Sequence, residues 1–96
     1  MFIIDLQYTA PLESIDAIMK PHMQFLKKYY DNKTFIASGR KVPRTGGIIL
    51  ATSSSKSEIE KIVNEDPFVV NKLAKYTITE FQTSQIRPDL KKVLGV

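Results

Sequence analysis

Hydrophobic and polar residues alternate from the first positions of the chain. Phe2, Ile4, Leu6 and Tyr8 fall on one side and Ile3, Asp5 and Gln7 on the other. That is the period of a half-buried strand, and Thr9-Ala10-Pro11 ends it. From residue 12 to about 32 the period becomes helical. Ile15, Ile18, Met19, His22, Leu26, Tyr29 and Tyr30 share one face, and Glu13, Asp16, Lys20, Gln24, Lys27 and Lys28 take the other. Pro21 lies inside this segment. Its missing N–H predicts a kink there, or a break with Pro21 restarting the helix at its first position. Asp31-Asn32-Lys33 supplies turn-forming residues at the end.

Residues 34–42 start as a strand and change character at Ser38-Gly39-Arg40, where the glycine predicts a bulge or a close approach by another group. Pro43-Arg44-Thr45-Gly46-Gly47 reads as a hairpin connection whose two glycines are free to take positive φ. Residues 48–52 are an apolar run, which predicts a central strand buried on both faces. Past a polar loop, Ser55 or Ser57 can cap a helix that carries Ile59, Ile62 and Val63 inward. Asn64-Glu65-Asp66-Pro67 ends that helix, and Phe68, Val69, Val70 and Leu73 form a short apolar turn. Residues 75–82, rich in β-branched and aromatic side chains, are the last strand. A short helix over 88–94 begins with proline.

The order β-α-β-β-α-β predicts an α+β fold of the ferredoxin-like, split βαβ kind, with two helices on one face of a four-stranded antiparallel sheet. The other face would carry Ile3, Asp5 and Gln7 together with either Tyr76, Ile78 and Glu80 or Thr77, Thr79 and Phe81. Either set is too mixed for a core and too apolar for water, so a second copy of the chain is expected to cover it.

Composition narrows the chemistry. Ninety-six residues make a single domain spanning 1–96 and bury about two-thirds of the unfolded surface, so burial against a partner subunit would add usefully to the core. Cysteine is absent, which removes disulfides, thiolate metal sites and cysteine nucleophiles. With one histidine and no clustered carboxylates, no metal is expected. The net charge of +4 is mild and the lysines are interleaved with acids, so the expected surface is solvated and not shaped for nucleic acid. The start of the chain carries no basic leader and no long apolar run follows, which leads us to expect a cytoplasmic protein without a membrane segment.

The one histidine, His22, sits in the middle of the apolar helical face. Either it is a core imidazole bonded to a backbone carbonyl, or it faces a pocket and acts as a general acid/base, for which its ordinary pKa near neutrality suits it. Asp66 is the natural carboxylate partner, although Asp before Pro is also an ordinary helix N-cap. Ser38 and Gly39 offer backbone for close approach. Arg40 and Arg44 can bind a carboxylate or phenolate, the bland alternative being a tight hairpin with exposed arginines. A phosphate-cradling loop, a nucleophile elbow around Ser38 and an RNA-binding strand pair all lack their spacing.

Read in order, these pieces resemble the YciI-like (YCII-related domain) family of small dimeric α+β-barrel proteins. The resemblance rests on His22-Met23-Gln24-Phe25-Leu26, Ser38-Gly39, Pro43-Arg44-Thr45-Gly46-Gly47-Ile48-Ile49-Leu50-Ala51, Asp66-Pro67-Phe68 and Tyr76-Thr77-Ile78-Thr79-Glu80-Phe81. It covers residues 1–82 and leaves 84–96 as a C-terminal extension. The resemblance implies a protomer whose sheet packs against a second copy to close a barrel, and a site in which His22 and Asp66 form a dyad. Many relatives carry Gly-Pro where this chain has Gly39-Arg40, which brings Arg40 close to the implied pocket. Two functions are expected. One is a cofactor-independent enzyme of lyase or isomerase type acting on a small cyclic or aromatic anion, with His22 moving a proton, Asp66 orienting it, and Ser38, Gly39, Arg40 and Arg44 holding substrate. The other is a non-catalytic domain that binds or senses a small ligand in the same pocket.

Overall fold

Strand pairing sets the frame of the computed structural model, which describes residues 1–94. Strand β1 (Phe2–Tyr8) is central and pairs antiparallel with β3 (Gly46–Ala51) on one side and β4 (Ala74–Glu80) on the other. Strand β2 (Phe35–Arg40) adds to the outer edge of β3, giving the order β2-β3-β1-β4. Helices α1 (Leu12–Ala17) and α2 (Met19–Asp31) connect β1 to β2, and α3 (Lys56–Val63) and α4 (Pro67–Val70) connect β3 to β4. The result is the expected ferredoxin-like α+β arrangement. Helix α5 (Pro88–Leu94) follows β4 and buries none of its side chains. The end of the 84–96 extension, beyond Leu94, lies outside the described residues. No helix among the described residues is long and apolar enough to cross a membrane.

The period-two pattern of β1 fixes which face is covered. Phe2, Ile4 and Leu6 are buried, and their cross-strand partners on the same face are Ala51, Ile49 and Gly47 on β3 and Glu80, Ile78 and Tyr76 on β4. Phe25, Leu26 and Tyr29 of α2 and Ile59, Ile62 and Val63 of α3 close the main core over this face. A smaller cluster of Ile15, Phe68 and Ala74, packed with Tyr8, Ile18 and Met19, lies at the far end of β1. On the opposite face Ile3, Asp5 and Gln7 line up with Ile48 and Leu50 and with Thr77 and Thr79. Of the two sets expected from the last strand, the threonine set is therefore the one that faces out.

Four local expectations need correction. The irregularity attributed to Pro21 sits at Ile18 (φ −107°, ψ 6°), which separates α1 from α2. Pro21 is thus the third residue of a new helix, where an N–H has no intrahelical acceptor and its absence costs nothing. The bulge in β2 falls between Phe35 and Ala37, not at Gly39, and a Cβ at Gly39 would meet only open space. Neither Gly46 nor Gly47 takes positive φ, and both belong to β3. Gly46 is required for a different reason, since a Cβ there would collide with the carbonyl oxygen of Leu6. Finally, β3 is central but buried on one face only: Ile49 is 3% exposed and its neighbour Ile48 36%. Of the two serines that could cap α3, Ser55 accepts from the Glu58 N–H.

Candidate functional site

Proline at position 67 shapes the site. It pushes Asp66 into extended backbone (φ −60°, ψ 124°), which ends the chain's exit from α3 and makes Asp66 the N-cap of α4. The carboxylate atom Oδ1 accepts from the Phe68 N–H at 3.0 Å. The same oxygen accepts from His22 Nδ1 at 2.8 Å. Capping residue and histidine partner, which looked like alternatives in the sequence, are one role at one atom. Asp66 is 1% exposed, and its Oδ2 is buried without a hydrogen-bond partner among the described residues.

His22 stands in the first turns of α2, and its own N–H bonds back across the helix break to Ile18 O at 3.1 Å. Its ring lies stacked on Phe68, with centroids 4.0 Å apart and planes 12° from parallel. The short helix α4 therefore holds the imidazole twice, by the carboxylate at its N-cap and by the flat face of its second residue. With the carboxylate as acceptor, the proton belongs on Nδ1, and Nε2 is left as the basic nitrogen. Nε2 has no hydrogen-bond partner among the described residues, and unlike Asp66 Oδ2 it is not sealed from solvent.

The imidazole forms part of the wall of a cavity of about 470 Å³. Leu6, Gly47 and Ile49 of the sheet line its floor, Met19, His22, Met23 and Leu26 of α2 its wall, and Tyr8 and Phe68 one end. Ser38, Gly39 and Arg40 of β2 and Arg44 of the following loop also line it. Five of the six residues singled out in the sequence thus meet at one cavity, and the sixth, Asp66, lies behind its wall, bonded to His22. A larger hollow of about 710 Å³ is lined by Thr83, Ser84, Gln85, Ile86, Arg87 and Lys91. All of these come from one local stretch of chain, whereas the His22 cavity is where separate elements converge.

The polar groups around the cavity are not equivalent. Ser38 Oγ and Tyr30 OH share a hydrogen bond of 2.6 Å, which ties the serine hydroxyl to α2. Arg44 Nη2 donates to Asp16 Oδ1 at 2.5 Å. The bond to Arg44 holds the Asp16 carboxyl below its ordinary range, and the same bond holds the Arg44 guanidinium above its own. Arg40, exposed at the rim, makes no ion pair among the described residues.

Two contributors escaped the sequence reading. Phe68 reads there as an apolar turn residue, although its place two positions after Asp66 puts it on the same turn of α4. Asp16 falls on the polar side of a helical wheel drawn through residues 12–32. The break at Ile18 interrupts the constant 100° step, so the wheel does not carry across it, and Asp16 reaches the cavity.

Among solved structures, the chain is similar to 5-chloro-2-hydroxyhydroquinone dehydrochlorinase from Burkholderia phenoliruptrix AC1100, in complex with 2,5-dihydroxybenzoquinone. The TM-score is 0.71 at 16% identity over 85% of this chain and 94% of that one, which is a likeness of fold. A sequence comparison with curated proteins finds no match. The YCII-related domain family matches residues 1–82, spanning every strand and both walls of the cavity, and the chain belongs to that family.

Proposed function

We propose that this protein is a cofactor-independent enzyme that carries out acid/base chemistry of lyase or isomerase type on a small cyclic or aromatic anion. The observation that carries the reading is an imidazole pinned through Nδ1 to a buried carboxylate and presented at the wall of a cavity. In this reading His22 takes a proton from, or returns one to, the substrate through Nε2. Asp66 fixes the tautomer and the ring direction and favours the imidazolium that forms. Arg40 holds the anionic oxygen, with the Ser38-Gly39 backbone beside it. Hydroxylated quinones and hydroquinones are the first compounds to test, because a dehydrochlorinase with such a ligand shares the fold.

The test separates binding from turnover in His22→Ala and Asp66→Asn, using 2,5-dihydroxybenzoquinone and related ring compounds. Retained affinity with turnover lost in both variants supports the enzyme. Ligands that bind the wild type and are never turned over would sink it in favour of the second reading, a binding or sensing domain, which the uncommitted Arg40 guanidinium supports by itself.

We further propose that two copies pack through the open sheet face and close a barrel. Ile3, Ile48 and Leu50 on that face, with Ile48 36% exposed, favour a covered surface. Light scattering at micromolar concentration should report twice the chain mass, and a clean monomer would overturn the barrel.

A further inference from the structure

The cavity holds two guanidinium groups, and only one of them is available. Arg44 is committed to Asp16 at 2.5 Å, and its side chain is 23% exposed. Arg40 lies on the same wall without an ion-pair partner among the described residues. Asp16 is itself a lining residue, so an ion pair and not a bare guanidinium faces the ligand space there. A second carboxylate, Asp66, stands directly behind the His22 ring with one oxygen unpartnered. The groups acting on a bound anion are therefore one free cation, one guanidinium and carboxylate that neutralise each other, and one buried carboxylate behind the imidazole. The low-dielectric wall of Leu6, Leu26, Ile49 and Phe68 lets those charges act at short range.

We propose that Asp16 is a specificity residue that limits the cavity to organic monoanions, by neutralising Arg44 and leaving Arg40 as the single anion-binding group. A ligand with one carboxylate or phenolate pairs with Arg40 and leaves Asp16 undisturbed. A ligand with two negative charges has no second free cation for its far charge, which meets the Asp16–Arg44 pair instead. The hydrogen bond from Arg44, and also the field of Arg40, hold the Asp16 carboxyl below its ordinary range, so the pair persists into more acid solution than an unpaired aspartate would allow.

This inference rests on the reading of the cavity as a ligand site, but its test is by binding alone and needs no reaction. Benzoate serves as the monoanion and isophthalate as the dianion, each titrated by calorimetry and by the ring-proton shifts of His22. Wild type should prefer benzoate by about tenfold. Asp16→Asn frees Arg44 and supplies a second cation, so isophthalate should gain about tenfold while benzoate changes little. Arg40→Gln should abolish binding of both.

Asp16 is exposed and its replacement by asparagine is isosteric, so the fold is expected to survive, with the amide spectrum as the check. An unchanged benzoate-to-isophthalate ratio in Asp16→Asn overturns the proposal, as does benzoate binding that survives Arg40→Gln. Failure of wild type to bind benzoate at tens of millimolar overturns it too. Selectivity without turnover of any ring compound leaves the proposal standing and removes the enzyme. Turnover with no effect of Asp16→Asn on charge preference does the reverse.

Discussion

Two aspartates hold two basic side chains at the same cavity, in opposite settings. Asp66 is 1% exposed, sits at a helix N-cap and bonds both a backbone N–H and His22 through one oxygen. Asp16 has a side chain 58% exposed on a short helix and bonds Arg44 alone. Asp66 is embedded in the architecture, because its removal would orphan two donors in a dry place. Asp16 is an addition to the surface of the cavity, and its exposed pair with Arg44 adds little to the stability of the fold. The difference separates what aims the imidazole from what sets the charge the ligand meets, and it predicts that the two residues fail in different assays.

The largest expected effect is on stability at Asp66. Asp66→Ala removes an N-cap, worth about 1 kcal/mol. It also leaves the His22 Nδ1–H unpaired in a buried site, which costs about 1–3 kcal/mol more. A loss of about 3 kcal/mol in urea denaturation is expected. Asp66→Asn keeps an acceptor at Oδ1 and should lose about 1 kcal/mol. Equal losses for the two substitutions would mean that the shared oxygen is not what organises α4 and His22. At the other pole, Asp16→Asn should leave the denaturation midpoint where it is while altering anion preference.

The same contrast explains what could be read from the sequence. The strands of the central sheet were legible because one face is covered: burial enforces the period of two in Phe2, Ile4 and Leu6, and a one-residue slip would expose all three. For β3 the period was hidden, because Ile48 and Leu50 on the open face are as apolar as Ile49 on the covered one. An apolar run therefore looked buried on both sides. His22 and Asp66 could be named as residues, since a lone inward histidine and an Asp-Pro step are both visible. Their pairing joins positions 44 residues apart and so has no local signal; it was open on the residues alone and was implied only by the family resemblance. The sequence also presented capping and histidine pairing as competitors, when an oxygen with two lone pairs accepts both. Phe68 and Asp16 were missed for geometric reasons: stacking depends on the orientation of α4, and the helical wheel loses its phase at Ile18. Gly39 was misjudged because glycine marks both crowded and merely permissive positions, and here the space beside it is open.

The smallest expected effect is the pH response of the exposed pair, and its sign follows from the depressed carboxyl. Asp16 binds its proton less readily in the folded protein than in the unfolded chain, first because of the hydrogen bond from Arg44 and then through the charges of Arg44 and Arg40. Any contribution of the pair to stability is therefore complete above the unfolded-chain value, for which the ordinary carboxyl value is 3.8. It is lost as pH falls through the lower folded-state value, because the unfolded chain then binds the proton first. Carboxyl carbon shifts followed by NMR should place the Asp16 midpoint below the ordinary carboxylate range in wild type, and Arg44→Gln should move it back up. The difference in melting temperature between wild type and Arg44→Gln should be constant through neutral pH and shrink only in acid. If the Asp16 midpoint is the same in both proteins, Arg44 is not committed to it. Arg44 then joins Arg40 as a second free cation, and the monoanion limit drawn from that pair falls with it.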